Sequence, residues 1–162
     1  MKKRYFLLAG GGAIGAAWLS HHLLGRNEQE LAIAETKFEV TKTEEEWRRV
    51  LTDQQFKVLR LEGTERAGTS PLLKEYRPGT FSCSGCDLPL FNANTKYESG
   101  TGWPSFYMPI EAAVESRQDG LRKEIHCRRC GGHLGHVFED GPKPTGLRYC
   151  MNGVSLKFAA SS

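Results

Sequence analysis

Residues 80–91 read TFSCSGCDLPLF, and after 40 intervening residues the Cys-x-x-Cys spacing recurs as Cys127-Arg128-Arg129-Cys130. Each Cys-x-x-Cys turn presents two thiols, and two such turns supply the four thiolates of a tetrahedral zinc site. Gly85 and Gly131 are placed to relieve the backbone where it turns beneath the metal. The gap is longer than that of a zinc ribbon, so a β-subdomain has to sit between the knuckles. Two rivals share the pattern: a pair of structural disulfides, or a thioredoxin-like redox pair. A disulfide within Cys-x-x-Cys closes a tiny loop and stabilises little, which favours the metal.

Outward from the knuckles the signals are short strands separated by Gly, Pro, Asn and Asp: TFSC, PLF, KYES, SFYMPI, AVESR, LRKEIHC, HVFE, LRYCMN and VSLKFA. Gln118-Asp119-Gly120 marks a tight hairpin between two of them. Upstream, Thr43 with Glu46 forms a capping box ahead of Trp47, Val50 and Leu51. Thr52 with Gln55 opens a second helix carrying Phe56 and Leu59, with a stop near Gly63. The fold expected is mainly β: antiparallel sheets around a four-cysteine zinc site, with short N-terminal helices. The domain is assigned to residues 43–160, residues 26–42 read as a linker, and residues 1–25 read as a signal peptide or membrane anchor.

The leader reading comes from charge and hydropathy. Of the formal net charge of +3, four positive charges (Lys2, Lys3, Arg4 and Arg26) fall in the first 26 residues, which hold no acid; 3 − 4 leaves the remainder at −1. A nearly neutral body argues against a nucleic-acid surface, which needs clustered Lys and Arg. The basic start precedes an apolar run from Tyr5 to Leu19, extendable through Leu24 to about the length that spans a bilayer. The expectation is export or anchoring with the domain on the non-cytoplasmic side; a cytoplasmic placement is the alternative. Gly10, Gly12 and Gly15 have dinucleotide-site spacing, but no second parallel strand follows, as a βαβ unit requires.

With four cysteines assigned to the knuckles, Cys150 is left as a lone thiol. A free cysteine is often a small buried hydrophobe. In an extended strand, however, Arg148, Cys150 and Asn152 share one face. A neighbouring guanidinium favours the thiolate that performs nucleophilic attack, and an amide beside it holds a reacting oxygen or a neighbouring side chain. In HLGHVFE, His136 and Phe138 share a face, which makes His136 a candidate proton donor beside an aromatic wall. His126, His133 and His136 lie near the second knuckle, and the rival reading gives one of them to the metal.

The blocks TFSCSGCDLPLF, SGTGWPSF, CRRCGGHLGHVFEDGP and GLRYCMNGVSLKF, in that order and spacing, resemble the methionine sulfoxide reductase B family from about Thr43 to Phe158. The resemblance implies an enzyme of protein repair under oxidative stress, reducing the R epimer of peptide methionine sulfoxide. It places the nucleophile at Cys150, the polar partners at His136 and Asn152, and His133 at the site. It also gives Trp103 as the residue that receives the substrate methyl group, Phe138 as the same apolar wall, and Arg148 as a supporting charge. One structural Zn²⁺ is implied on Cys83, Cys86, Cys127 and Cys130. Many family members carry a resolving cysteine two residues before the tryptophan; here that residue is Thr101. The expected sulfenic acid is therefore reduced from outside, by thioredoxin, a thioredoxin-like protein or a small thiol. The rival class is a zinc-held β-domain that binds a partner without chemistry.

Overall fold

The computed structural model describes residues 38–161; the leader read at 1–25 and most of the linker read at 26–42 lie outside the described residues. No helix among the described residues is long and apolar enough to cross a membrane.

Two short helices open the domain, α1 (Glu44–Val50) and α2 (Asp53–Leu59). Both carry complete capping boxes. The Thr43 hydroxyl accepts the Glu46 N–H while the Glu46 carboxylate accepts the Thr43 N–H, and Thr52 and Gln55 repeat the exchange. Such caps satisfy the unpaired donors of the first turn, which in a seven-residue helix are a large share of its N–H groups. Trp47, Leu51, Phe56 and Leu59 face inward, whereas Val50, expected on the apolar face, is 59% exposed.

Nine antiparallel strands follow: β1 (Gly79–Cys83), β2 (Pro89–Asn92), β3 (Lys96–Tyr97), β4 (Ser105–Phe106), β5 (Val114–Asp119), β6 (Arg122–Cys127), β7 (His133–Phe138), β8 (Arg148–Met151) and β9 (Leu156–Ala160). They form a three-stranded sheet, β2-β1-β9, and a six-stranded sheet, β3-β4-β8-β7-β6-β5. The sheets meet through aromatic rings. Phe106 stacks on Phe91 with centroids 4.3 Å apart and meets Phe81 edge-on at 5.0 Å. All three rings are fully buried, and buried aromatics of this size dominate a small core.

Several strands differ in extent from the sequence expectation. KYES and SFYMPI contribute only two residues each, since the turn between them and Pro104 and Pro109 interrupt pairing. VSLKFA pairs only from Leu156, because Gly153–Ser155 winds into a 3₁₀ turn whose first two N–H groups bond the Glu65 carboxylate. The β7 strand begins at His133, three residues before the expected HVFE. The hairpin at Asp119 closes as expected, with Asp119 opposite Arg122.

The two knuckles join the sheets. Cys83 ends β1 in the small sheet, and Cys127 ends β6 in the large one. Each first cysteine accepts, at its carbonyl, the N–H four residues on: Asp87 to Cys83, and Gly131 to Cys127. Those fourth residues carry the left-handed backbone, Asp87 at φ 58° and Gly131 at φ 66°, so Asp87 rather than Gly85 relieves the first turn. The helices lie over the knuckles. Trp47 lies close over Gly85, where a Cβ would meet its ring at 3.6 Å, and the Arg60 guanidinium donates to the Cys130 carbonyl at 2.9 Å. Phe38 and Val40 also pack here, Phe38 edge-on to His126 and Val40 N–H donating to the Arg129 carbonyl.

Candidate active site and metal centre

The four knuckle sulfurs converge, with Cys83 to Cys130 at 3.7 Å and Cys86 to Cys127 at 3.5 Å. All ligand atoms of the cluster lie within 4.8 Å of one another. A tetrahedron with metal–sulfur arms of about 2.3 Å has edges of about 3.8 Å, so these sulfurs fit a zinc-sized ion, whereas a disulfide needs about 2.0 Å. Mutual hydrogen bonding holds Cys86 and Cys127 below the ordinary thiol range and pushes Cys83 and Cys130 above it. No histidine joins this cluster among the described residues. His133 Nδ1 bonds the Glu124 carboxylate at 2.7 Å, and His136 Nε2 bonds Asp119 at 2.8 Å.

Strand register builds the second site. On the large sheet, Tyr97, Ser105, Cys150, His136, Glu124 and Arg117 lie directly opposite one another in successive strands and form one row across all six. Cys150 therefore has His136 on one side and Ser105 on the other, and opposed side chains have Cβ atoms about 5 Å apart. A one-residue bulge in β7, opposite Ile125 and His126, shifts the alternation so that His133, three residues from His136, lies on the same face. Without the bulge His133 would point into the other face. Gly135 lies where β7 passes closest to β8; a Cβ there would meet the Cys150 carbonyl oxygen at 2.1 Å.

Over this row opens a cavity of about 120 Å³ lined by Thr64, Trp103, Arg122, Gly135, His136, Phe138, Cys150 and Asn152. Five of the expected residues thus share it: Cys150, His136, Asn152, Trp103 and Phe138. Two larger hollows, one beside Leu121 and Tyr149 and one beside Val58 and Ser70, do not contain the thiol. Two expected residues stand behind the wall. His133 is buried against Glu124. Arg148 forks onto Asp140 with bonds of 2.7 and 2.8 Å and stacks over the Phe138 ring at 4.3 Å. Hydrogen bonding to Asp140 strengthens the charged state of Arg148.

The Asn152 amide is engaged at both ends. Its oxygen accepts the Glu65 N–H at 2.9 Å and its nitrogen donates to the Leu134 carbonyl at 3.0 Å. Such an amide fixes the positions of neighbouring groups. Glu65, which carries no periodic signal in the loop GTERAG, is one residue the sequence reading missed. Its carbonyl accepts the Trp103 indole N–H at 3.1 Å, and its carboxylate holds the turn after Asn152. Burial raises the Glu65 carboxyl above its usual range despite those two N–H bonds. Glu124 was also missed. Burial alone would raise it, but His133 and Arg117 outweigh that and hold it below the usual carboxylate range. The signal was present in RKEIHC, where Arg122, Glu124 and His126 alternate as a polar face. Asp119, read only as a turn residue, bridges His136 and Arg122. Thr101 Oγ1 stands 3.8 Å from Cys150 Sγ.

A thiol facing an imidazole across a small cleft with an indole wall can attack a polarised atom of a small group while a proton reaches the leaving oxygen. Comparison with known proteins gives the family. The SelR domain model matches residues 51–160. The chain is 53% identical over 126 residues to "Peptide methionine sulfoxide reductase MsrB" of Leptospira interrogans, covering 75% of this chain and 96% of the relative. The proteins of the same name from Pseudomonas putida (strain W619) and Methanosarcina barkeri are 55% and 52% identical, covering 74% of this chain and 93% and 87% of theirs. A solved structure, the Mis18 "Yippee-like" domain, is similar at a TM-score of 0.44 and 18% identity, covering 53% of this chain and 99% of that one, a likeness that carries no functional weight. The chain belongs to the MsrB family of peptide methionine sulfoxide reductases, enzymes whose SelR domain makes up most of this sequence.

Proposed function

We propose that this reductase acts on the R epimer of peptide methionine sulfoxide through Cys150. The observation that carries the reading is the pairing of Cys150 with His136 on adjacent strands at a cavity walled by Trp103 and Phe138. In this reading the Cys150 thiolate bonds to the sulfoxide sulfur, and His136 supplies the proton that the oxygen takes up. The oxygen then passes to the cysteine sulfur, methionine leaves as the thioether, and Cys150 becomes a sulfenic acid. The methionine sulfur gains two electrons and the cysteine sulfur loses two. Trp103 receives the S-methyl group on its indole face, a contact suited to a soft, polarisable substituent, and its wall rejects the mirror arrangement. Asn152 and Glu65 hold the thiol turn and the indole in register, while His133 and Arg148 support the site from behind.

Cys83, Cys86, Cys127 and Cys130 would hold a Zn²⁺ whose contribution is structural, since four thiolates leave no open position for substrate. Recycling falls to an external thiol of thioredoxin type, because Thr101 stands where a resolving cysteine would be and the other thiols belong to the metal cluster. One external thiol displaces water from the sulfenic acid to form a mixed disulfide, and a second releases Cys150. The basic residues ahead of the apolar run at 5–24 support a non-cytoplasmic placement of the domain.

The test supplies peptide methionine R- and S-sulfoxide separately, with dithiothreitol and then thioredoxin as reductant. Turnover of the R epimer is expected, and Trp103→Ala should lower its kcat/KM by roughly 10- to 100-fold, the loss of a buried aromatic contact at a reacting group. Equal turnover of both epimers, or an unaffected Trp103→Ala protein, would refute the assignment of the methyl pocket.

A further inference from the structure

Beside Cys150 lies a chain of three hydroxyls that the mechanism above does not use. Thr101 Oγ1 is 3.8 Å from Cys150 Sγ, Ser99 Oγ is 2.8 Å from Thr101 Oγ1, Ser105 Oγ is 2.7 Å from Ser99 Oγ, and Ser105 donates to the Trp103 carbonyl at 3.1 Å. Ser105 is fully buried and pairs directly with Cys150 across β4 and β8, so the chain is anchored to the sheet row that carries the thiol.

Counting hydrogens gives the chain a direction. The Trp103 carbonyl only accepts, so the Ser105 hydrogen belongs to it; Ser99 must then donate to Ser105, and Thr101 to Ser99. The contact between Thr101 and Cys150 is left for the thiol's own S–H. With a neutral thiol, four hydrogens serve four contacts. With a thiolate, three hydrogens serve four. Thr101 has to turn its hydrogen from Ser99 to the sulfur, and one neutral bond further along the chain is lost.

We infer that this chain controls how readily Cys150 attacks: Thr101 donates to the thiolate, and Ser99 restrains it by holding the Thr101 hydrogen away from the sulfur. The two groups therefore act in opposite directions. Thr101→Val removes the only hydroxyl donor in contact with the sulfur among the described residues. Ser99→Ala frees the Thr101 hydrogen, and Ser105 keeps its bond to Trp103, so forming the thiolate no longer breaks a bond. Both are positioning residues that act before substrate arrives. The inference rests on Cys150 as the nucleophile.

The test is the rate of iodoacetamide alkylation at Cys150, mapped by mass spectrometry, in the metal-loaded full chain at neutral pH. Losing a charge-assisted bond should slow Thr101→Val roughly 10-fold, and sparing a neutral one should speed Ser99→Ala roughly 5-fold. Thr101→Ser keeps the hydroxyl and should react like the parent, which separates loss of the hydroxyl from misfolding. At a pH that ionises every thiol, the lag of Thr101→Val and the lead of Ser99→Ala should vanish or reverse, because the better stabilised thiolate is the weaker nucleophile, whereas a change in access or packing would keep the neutral-pH order. Shifts of the same sign in Ser99→Ala and Thr101→Val, no shift, or the neutral-pH rate order persisting undiminished at high pH would overturn the inference. Turnover by a Cys150→Ser protein would instead overturn the nucleophile assignment and leave the alkylation series standing, so the two failures are distinguishable.

Discussion

Replacing Cys150 by serine should abolish sulfoxide reduction. The step needs a sulfur that both attacks and ends two electrons more oxidised as a sulfenic acid; a serine hydroxyl is a weaker nucleophile and has no corresponding oxidised state. No other group in the cavity substitutes. His136 and Asn152 carry no redox chemistry, and the remaining thiols lie together in the four-cysteine cluster. Turnover should fall by at least about 10³-fold, the scale seen when a covalent nucleophile is removed, down to the rate of free dithiothreitol. The melting temperature should stay close to the parent's. Cys150 is half-buried and lies away from the aromatic core, and serine is nearly isosteric. A Cys150→Ser protein with measurable enzymatic turnover would refute the mechanism, since the same cavity offers no second route.

The four-cysteine cluster gives the second large expected effect, on stability. Cys83 and Cys127 are fully buried at the ends of strands in different sheets, and α1 and α2 pack over the turns they open. The cluster therefore holds together elements that share no strand pairing, and its four crowded sulfurs have little to gain from one another once the ion is gone. Binding of a structural Zn²⁺ is folding free energy, on the order of 10 kcal/mol at neutral pH in small domains, which matches the whole stability of a typical domain. Chelation, or Cys127→Ser, should lower the melting temperature by at least about 15 °C, equivalent to about 4 kcal/mol for a domain of this size. Metal added back should restore the parent protein but not the variant. A melting temperature within a few degrees of the parent after verified metal loss would contradict this assignment. Activity should fall with the fold, since β6 and β7 carry Glu124, His133 and His136 directly out of the second knuckle.

Much of this arrangement was legible in the sequence because it depends on spacing and period. Two Cys-x-x-Cys turns fix a tetrahedral site regardless of what lies between, and the two capping boxes fix the helix starts. Period-two alternation put Cys150 and Asn152 together and paired His136 with Phe138. Where the period breaks, the reading fails. The β7 bulge that brings His133 onto the reactive face leaves no mark in the order of residues, because it reflects the partner strand's register. Strand partners are likewise unreadable in one chain, so the row from Tyr97 to Arg117, including Ser105 beside Cys150, emerges only in three dimensions. Glu65 is the clearest case. It lies in a loop, and its importance comes from where its backbone and carboxylate meet Trp103, Asn152 and Gly153. The expected leader at 1–25 lies outside the described residues.

The most direct test of the central claim is a single turnover without reductant. The metal-loaded full chain is mixed with one equivalent of an R-sulfoxide peptide and then with a reagent that labels sulfenic acids, and the label is mapped by mass spectrometry. The mechanism predicts about one methionine formed per chain and the label on Cys150 alone, with the four knuckle cysteines unmodified. Methionine formed without a label on Cys150, or a disulfide joining Cys150 to a knuckle cysteine, would contradict it.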